Sequence, residues 1–205
     1  MKKHEDFLTD ASHLAPAGGK EALGERIRSA REMRGLTLED ISSRTGIDVA
    51  TLKGIESNEI APPLGQLIRL GKALDMKMGY FISPGVDKPM TVVRKDQGKA
   101  VARYGKKKGE QYGYSYESLA PEKADRMMEP FIVTLLPTDA EEFSSHDGQE
   151  FIFVLEGEMK VQVGDKVEFL KPGDAVYYDS TQPHLVKSAT KTKARILAVL
   201  YTGAK

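Results

Sequence analysis

Residues 37–57 read TLEDISSRTGIDVATLKGIES, and the fold of the N-terminal half turns on this stretch. Leu38, Ile41, Leu52 and Ile55 recur at helical spacing on either side of a break at Gly46. Thr37 and Asp40 have the spacing of a capping box, in which the threonine oxygen accepts from the third helical amide and the carboxylate reaches back. Gly46 ends the first helix of the pair and Asp48 caps the second. The connection Gly46–Ile47–Asp48 is too short for the two helices to lie side by side, so they must cross, as in a helix-turn-helix.

Working outward, Leu23, Ile27 and Ala30 extend the helical period toward the N-terminus, and Gly35 ends that helix. On the other side Asn58 supplies a left-handed stop, and Pro62-Pro63 opens a fourth helix carrying Leu64, Leu67, Ile68, Leu70 and Leu74. Residues 20–82 are therefore expected to form an all-α unit of short helices on one core.

With these elements in place, IRSAREMRGLTLEDISSRTGIDVATLKGIESN and the following PPLGQLIRLGKALD resemble the Cro/repressor (XRE) family. The resemblance implies that Val49–Ser57 is a recognition helix in the major groove of double-stranded DNA. Leu52 and Ile55 would face the core, leaving Val49, Ala50, Thr51, Lys53 and Gly54 toward the bases. Thr37, Arg34 and Arg44 join them at the DNA, with Arg28 and Arg31 as further phosphate candidates. The alternative is a solvated helix face, because residues 20–82 hold ten basic and nine acidic side chains.

Charge divides the chain. Residues 83–109 hold eight basic and two acidic residues, including Lys106-Lys107-Lys108, whereas residues 110–205 hold ten basic and sixteen acidic ones. The first segment reads as a basic linker with a β-like stretch at Met90–Arg94, leading into the first strand. Residues 1–19 read as a flexible tail in which His4 and His13 are solvated. The opening residues lack the apolar core of a secretory signal, and no run is long enough to span a bilayer. With no cysteine, disulfides, thiolate metal sites and thiol nucleophiles are excluded, which fits a cytoplasmic protein.

From residue 110 onward the period becomes that of strands. FIVTLLP, EFIFVLEGEMKVQV, KVEFL, AVYY, HLVKS and RILAVLY are separated by Gly, Pro and Asp turns, as in a sandwich or barrel. Tyr112, Tyr114 and Tyr116 share one face of a regular strand, and inward they would wall a ligand pocket. Arg126 is expected to be exposed, or else to neutralise an acidic ligand.

A hairpin at Leu155-Glu156-Gly157-Glu158 and a turn at Lys171-Pro172-Gly173-Asp174 resemble the two signature turns of the cupins. This resemblance implies a double-stranded β-helix barrel over 110–205, and hence a two-domain α+β chain, all-α then all-β. The family's first motif is His-x-His, three or four residues, Glu, six residues, Gly. It is met here by His146, Glu150 and Gly157, with Ser144 in the place of the other histidine and a ligand pocket beside it. The second motif is met by Pro172-Gly173-Asp174 and His184. Two histidines and one carboxylate suit a facial triad for Fe(II), with Zn(II) or Ni(II) as alternatives.

Two functions are implied. Helix-turn-helix fused to cupin resembles a family of bacterial transcription regulators, homodimers that bind pseudo-palindromic DNA and sense a small-molecule effector. The cupin half also resembles hydroxypropylphosphonate epoxidase, an iron enzyme of the same two modules, in which a lysine from the helical domain reaches the pocket. Arg34 falls at that position here, a planar, always charged replacement.

Overall fold

In the computed structural model, which describes residues 22–60, 62–77, 81, 88–95, 99–103, 114–123 and 126–201, four helices precede nine strands. The helices are α1 (Leu23–Met33), α2 (Leu38–Thr45), α3 (Val49–Glu56) and α4 (Leu64–Ala73). Each boundary has a local cause. The Thr37 hydroxyl accepts from the Asp40 amide while the Asp40 carboxylate accepts from the Thr37 amide. Gly46 terminates α2 in the left-handed conformation at φ 71°. Asp48 accepts from the Thr51 amide at the start of α3, and Asn58 follows α3 at φ 59°.

The buried faces of these helices meet through Ile27, Ala30, Ile41, Leu52, Ile55 and Leu67. Beneath them lies an ion pair that the sequence does not announce. Glu56 is buried and accepts from both Nε and an Nη of Arg31, at 2.7 and 2.8 Å. Arg28 reaches the same carboxylate at 3.6 Å. Two of the arginines expected at phosphates thus hold α1 to α3 instead.

The strands are β1 (Lys99–Arg103), β2 (Tyr114–Ser118), β3 (Met128–Leu135), β4 (Gln149–Glu156), β5 (Met159–Val163), β6 (Lys166–Leu170), β7 (Ala175–Asp179), β8 (His184–Ser188) and β9 (Ala194–Tyr201). They form a six-stranded sheet ordered β1-β2-β3-β9-β4-β7 and a three-stranded sheet ordered β6-β5-β8, with every pairing antiparallel. Alternation sorts the faces: Ala194, Ile196, Ala198 and Leu200 of β9 are buried, as are Phe131, Val133 and Leu135 of β3. These residues and the helical core form one contiguous hydrophobic cluster.

Three expectations are corrected. Leu155–Glu158 is not a hairpin, because β4 pairs with β7 and β9 whereas β5 pairs with β6 and β8. The turn instead carries the chain from one sheet to the other. Gly157 has φ 74°, and a Cβ there would sit 2.6 Å from the Lys193 carbonyl, so the crossing needs glycine. Met90–Arg94 forms no strand; the first strand begins at Lys99. Arg126 is not exposed, since its Nε donates to Glu129 at 2.7 Å with both side chains nearly covered. The tail 1–19, Lys106–Lys108 and Tyr112 lie outside the described residues.

Candidate metal centre and nucleic-acid interface

Glu150 is the charged exception on the otherwise apolar inward face of β4, between the barrel wall and the buried Ile152 and Val154. Cross-strand register places it opposite Tyr178 of β7, whose hydroxyl donates to its Oε2. His184 opens β8, and an isolated bridge links it to Ser144 through amide–carbonyl bonds of 2.8 and 2.9 Å. His146 is fixed two residues on by its own amide, which donates to the Ser180 carbonyl. Local pairing thus brings together three residues that span 39 positions in sequence numbering, from His146 to His184.

All three side chains are buried, and one ligand atom from each lies within 4.8 Å of the others. His146 Nε2 is 2.8 Å from Glu150 Oε1, and His184 Nε2 is 3.7 Å from the same oxygen. On the far side of each ring Nδ1 faces a backbone carbonyl, that of Asp147 at 3.2 Å and that of Gln182 at 2.9 Å. Ring protons on Nδ1 would be met by those carbonyls, which would leave both Nε2 atoms for a cation. Two imidazole nitrogens and a carboxylate oxygen converging in this way fit a divalent cation. Ser144, in place of a further histidine, lies 2.8 Å from His184 Nε2 through its hydroxyl.

Burial pushes the Glu150 carboxyl upward, but the hydrogen bond and charge of His146, with Tyr178 and His184, outweigh it and hold the group below the ordinary carboxylate range. Burial lowers the His184 imidazole against the opposing pull of Glu150. Burial and the Glu150 charge keep the Tyr178 phenol well above its ordinary value, so it remains a donor. The site therefore presents an anionic carboxylate and a neutral imidazole near neutral pH, the forms that ligate metal.

Glu150 and His184 line a cavity of about 320 Å³. Its barrel wall includes Tyr116, Val133, Ile152, His184 and Ile196, and its opposite wall is the first two turns of α4, from Pro63 to Arg69. Tyr116, expected at the pocket, is fully buried there, and its hydroxyl donates to the Pro62 carbonyl at 3.0 Å. Tyr114 lies in β2 opposite Leu135 in the ladder. Gly65 passes so close to the barrel that a Cβ would lie 3.0 Å from Ser144 and 3.3 Å from the His146 ring. The sequence reading missed Tyr178, Gln66 and Arg69. A charge at position 69 among Leu67, Ile68 and Leu70 was a signal, but its direction depended on packing.

In the helical domain, Ala50 and Lys53 of α3 are exposed, while Val49 and Thr51 are half-buried. The Thr51 hydroxyl is bound to Asp48 at 2.6 Å. Gly54, expected at the bases, is buried instead, and a Cβ there would come within 2.5 Å of Ile60. It is a packing residue. Arg44 donates to the Ala73 carbonyl, and Arg34 to those of Ala30 and Asp75, so Arg34 is committed to the helical domain and is not among the residues lining the cavity. Thr37 remains exposed at its cap.

A crossed, capped helix pair ahead of a barrel with an inward His-Glu-His set defines a helix-turn-helix protein with a cupin domain. Comparison agrees on both halves. Residues 27–81 match the helix-turn-helix family and residues 131–200 the cupin domain family. The chain is 30% identical over 194 residues to (S)-2-hydroxypropylphosphonic acid epoxidase of Streptomyces wedmorensis, covering 90% of this chain and 96% of that one. It is 23% identical over 180 residues to the HTH-type transcriptional regulator PuuR of Escherichia coli, covering 86% and 93%. The crystal structure of a helix-turn-helix family transcriptional regulator from Vibrio cholerae superposes with a TM-score of 0.61 at 25% identity, covering 89% and 96%. The chain belongs to the family in which an XRE-type helix-turn-helix domain is fused to a cupin barrel. Among the described residues, no helix is long and apolar enough to cross a membrane.

Proposed function

We infer that the protein is a sequence-specific DNA-binding transcriptional regulator whose barrel receives a small-molecule effector. The observation that carries this reading is the division of labour within the helical domain. The barrel is met by α4 and the residues just before it, through Pro62, Gly65 and Lys72, while Ala50 and Lys53 of α3 stay exposed for the major groove. Exposed Thr37 and half-buried Val49 and Thr51 are proposed to join them at the DNA, with Arg34 and Arg44 supplying charge. A regulator of this kind works in the cytoplasm, with the DNA.

Operator symmetry calls for two reading heads about one helical turn apart, and we propose a homodimer. Its support is the exposure of Val167, Phe169 and Tyr177 on β6 and β7, the outer strands of the two sheets. Light scattering on the full chain checks the mass. Selection of genomic fragments at near-physiological salt tests DNA binding. A shared palindromic element among the retained fragments is the expected result, and uniform retention overturns the reading.

His146, Glu150 and His184 are proposed to hold a divalent metal, Fe(II) before Zn(II) or Ni(II), because two imidazoles and one carboxylate leave an open face. Bound there, the metal supplies a Lewis-acidic anchor for an effector's donor atoms. The same triad, with the 30% identity to the epoxidase, favours a second reading as a mononuclear non-haem iron enzyme of the hydroxypropylphosphonate epoxidase type. Oxygen consumption by the iron-loaded protein with a hydroxyalkylphosphonate tests it, and Glu150→Ala should abolish the turnover.

A further inference from the structure

We propose that the cavity between α4 and the barrel is a carboxylate-binding site, in which Arg69 takes the acid group of a small ligand whose apolar body fills the barrel side. The inference deepens the reading of the barrel as an effector receptor and rests on it.

Arg69 stands apart from the other arginines of the helical domain. Arg26 donates to the Phe81 carbonyl, Arg31 to Glu56, Arg34 to Ala30 and Asp75, and Arg44 to Ala73, while Arg28 pairs with Glu56. Among the described residues, Arg69 has no such partner; its Nε is covered by protein and makes no hydrogen bond. Gln66, one turn before it on α4, likewise has a covered amide oxygen without a donor. Three covered side-chain polar atoms lack partners among the described residues, and two of them belong to this one wall. Folding normally pairs such groups, because an unmet donor near apolar surface is costly. A guanidinium kept free of protein carboxylates is instead prepared for one that arrives from outside.

The rest of the cavity selects the ligand's body. Leu64, Val133, Leu135, Ile152, Ile196 and Leu200 offer aliphatic surface, so a compact aliphatic or aromatic acid fits better than a sugar or a nucleotide. Glu142 also lines the cavity but is exposed and makes no ion pair with Arg69, so it does not fill the guanidinium's place. An acid held by α4 at one end and by barrel side chains at the other would tie the DNA-reading domain to the receptor. Occupancy then acts directly on the placement of α3.

The test is calorimetric titration of the full-length protein with hexanoate and benzoate against hexanamide and benzamide, which keep the shape and remove the charge. The expected result is that the acids bind at least about tenfold more tightly than the amides. Arg69→Gln should erase that preference, and Arg69→Lys should keep part of it, since lysine retains the charge without the fork. Equal binding of acids and amides to the unaltered protein overturns the proposal, as does an undiminished preference in Arg69→Gln or no binding by either series. Melting curves of both variants report folding. Selection of DNA fragments by the same samples judges the regulator reading separately: its failure with acid selectivity intact removes the regulator and leaves the site.

Discussion

The Tyr116 hydroxyl of the barrel donates to the backbone carbonyl of Pro62, the residue that leads into α4, at 3.0 Å. Both partners are buried, and the bond crosses from the barrel to the helix-turn-helix domain. Tyr116→Phe keeps the ring and its edge-on contact with Phe131 while leaving the carbonyl unpaired. The expected loss is about 1–3 kcal/mol, read by thermal melting. Amide exchange at the first turn of α4 should quicken while that of α2 stays unchanged.

Retention of a metal by His146, Glu150 and His184 is expected to depend on protonation with a definite sign. Burial lowers the His184 imidazole below its ordinary value, so the neutral, ligating form persists as pH falls through about 6.5. Metal content measured after dialysis from pH 8 to pH 5 should therefore hold at pH 6.5 and fall only below it. Glu150→Ala should lose the metal at every pH in that range. Full occupancy in that variant would remove the triad.

Lys53 and Thr51 are expected to contribute differently to DNA binding. Lys53→Ala should weaken binding and lower the salt slope by about one if the ammonium meets a phosphate. Thr51→Ala should weaken binding with the slope unchanged, because a hydroxyl displaces no counterion. Fluorescence anisotropy at several salt concentrations separates the two. Unaltered binding in both variants would dismiss α3 as the reading helix.

Gly24 and Glu56 report on how α1 is clasped to α3. A Cβ at position 24 would sit 2.1 Å from the Ile55 carbonyl, which cannot yield as a side chain can. Gly24→Ala should cost about 2–3 kcal/mol by overpacking. Glu56→Ala strips Arg31 of both its carboxylate bonds, and a loss of about 2–3 kcal/mol is expected. Urea denaturation checks both, and DNA affinity should fall with the folded fraction alone.

What the sequence disclosed followed the range of the interaction. Thr37 with Asp40, Gly46, Asp48 and Asn58 act within a few residues of themselves, so their caps and stops could be read directly. His146, Glu150 and His184 were readable as a set because the cupin resemblance fixed their spacing. Gly54 was misplaced because its environment is made by Ile60 beyond the end of α3. The crossing at Gly157 looked like a hairpin because a tight turn says nothing about which sheet receives the next strand. Arg126 found Glu129 in its own loop, a pairing that composition alone does not reveal. Arg69 and Gln66 were hidden for a further reason, since which face of α4 meets the barrel depends on long-range packing such as the close approach of Gly65 to Ser144 and His146.

The cavity wall formed by α4 bears on how such proteins diversify. A receptor closed by its own barrel can exchange its DNA-reading partner freely, and recombination can rewire it in one step. Here one side of the cavity is inherited with the helix-turn-helix, from Pro63 to Arg69. A chimera that grafts a foreign reading head onto this barrel would change the chemical preference of the chamber along with its operator. The two specificities would then descend together, one on α3 and the other on α4 of the same domain.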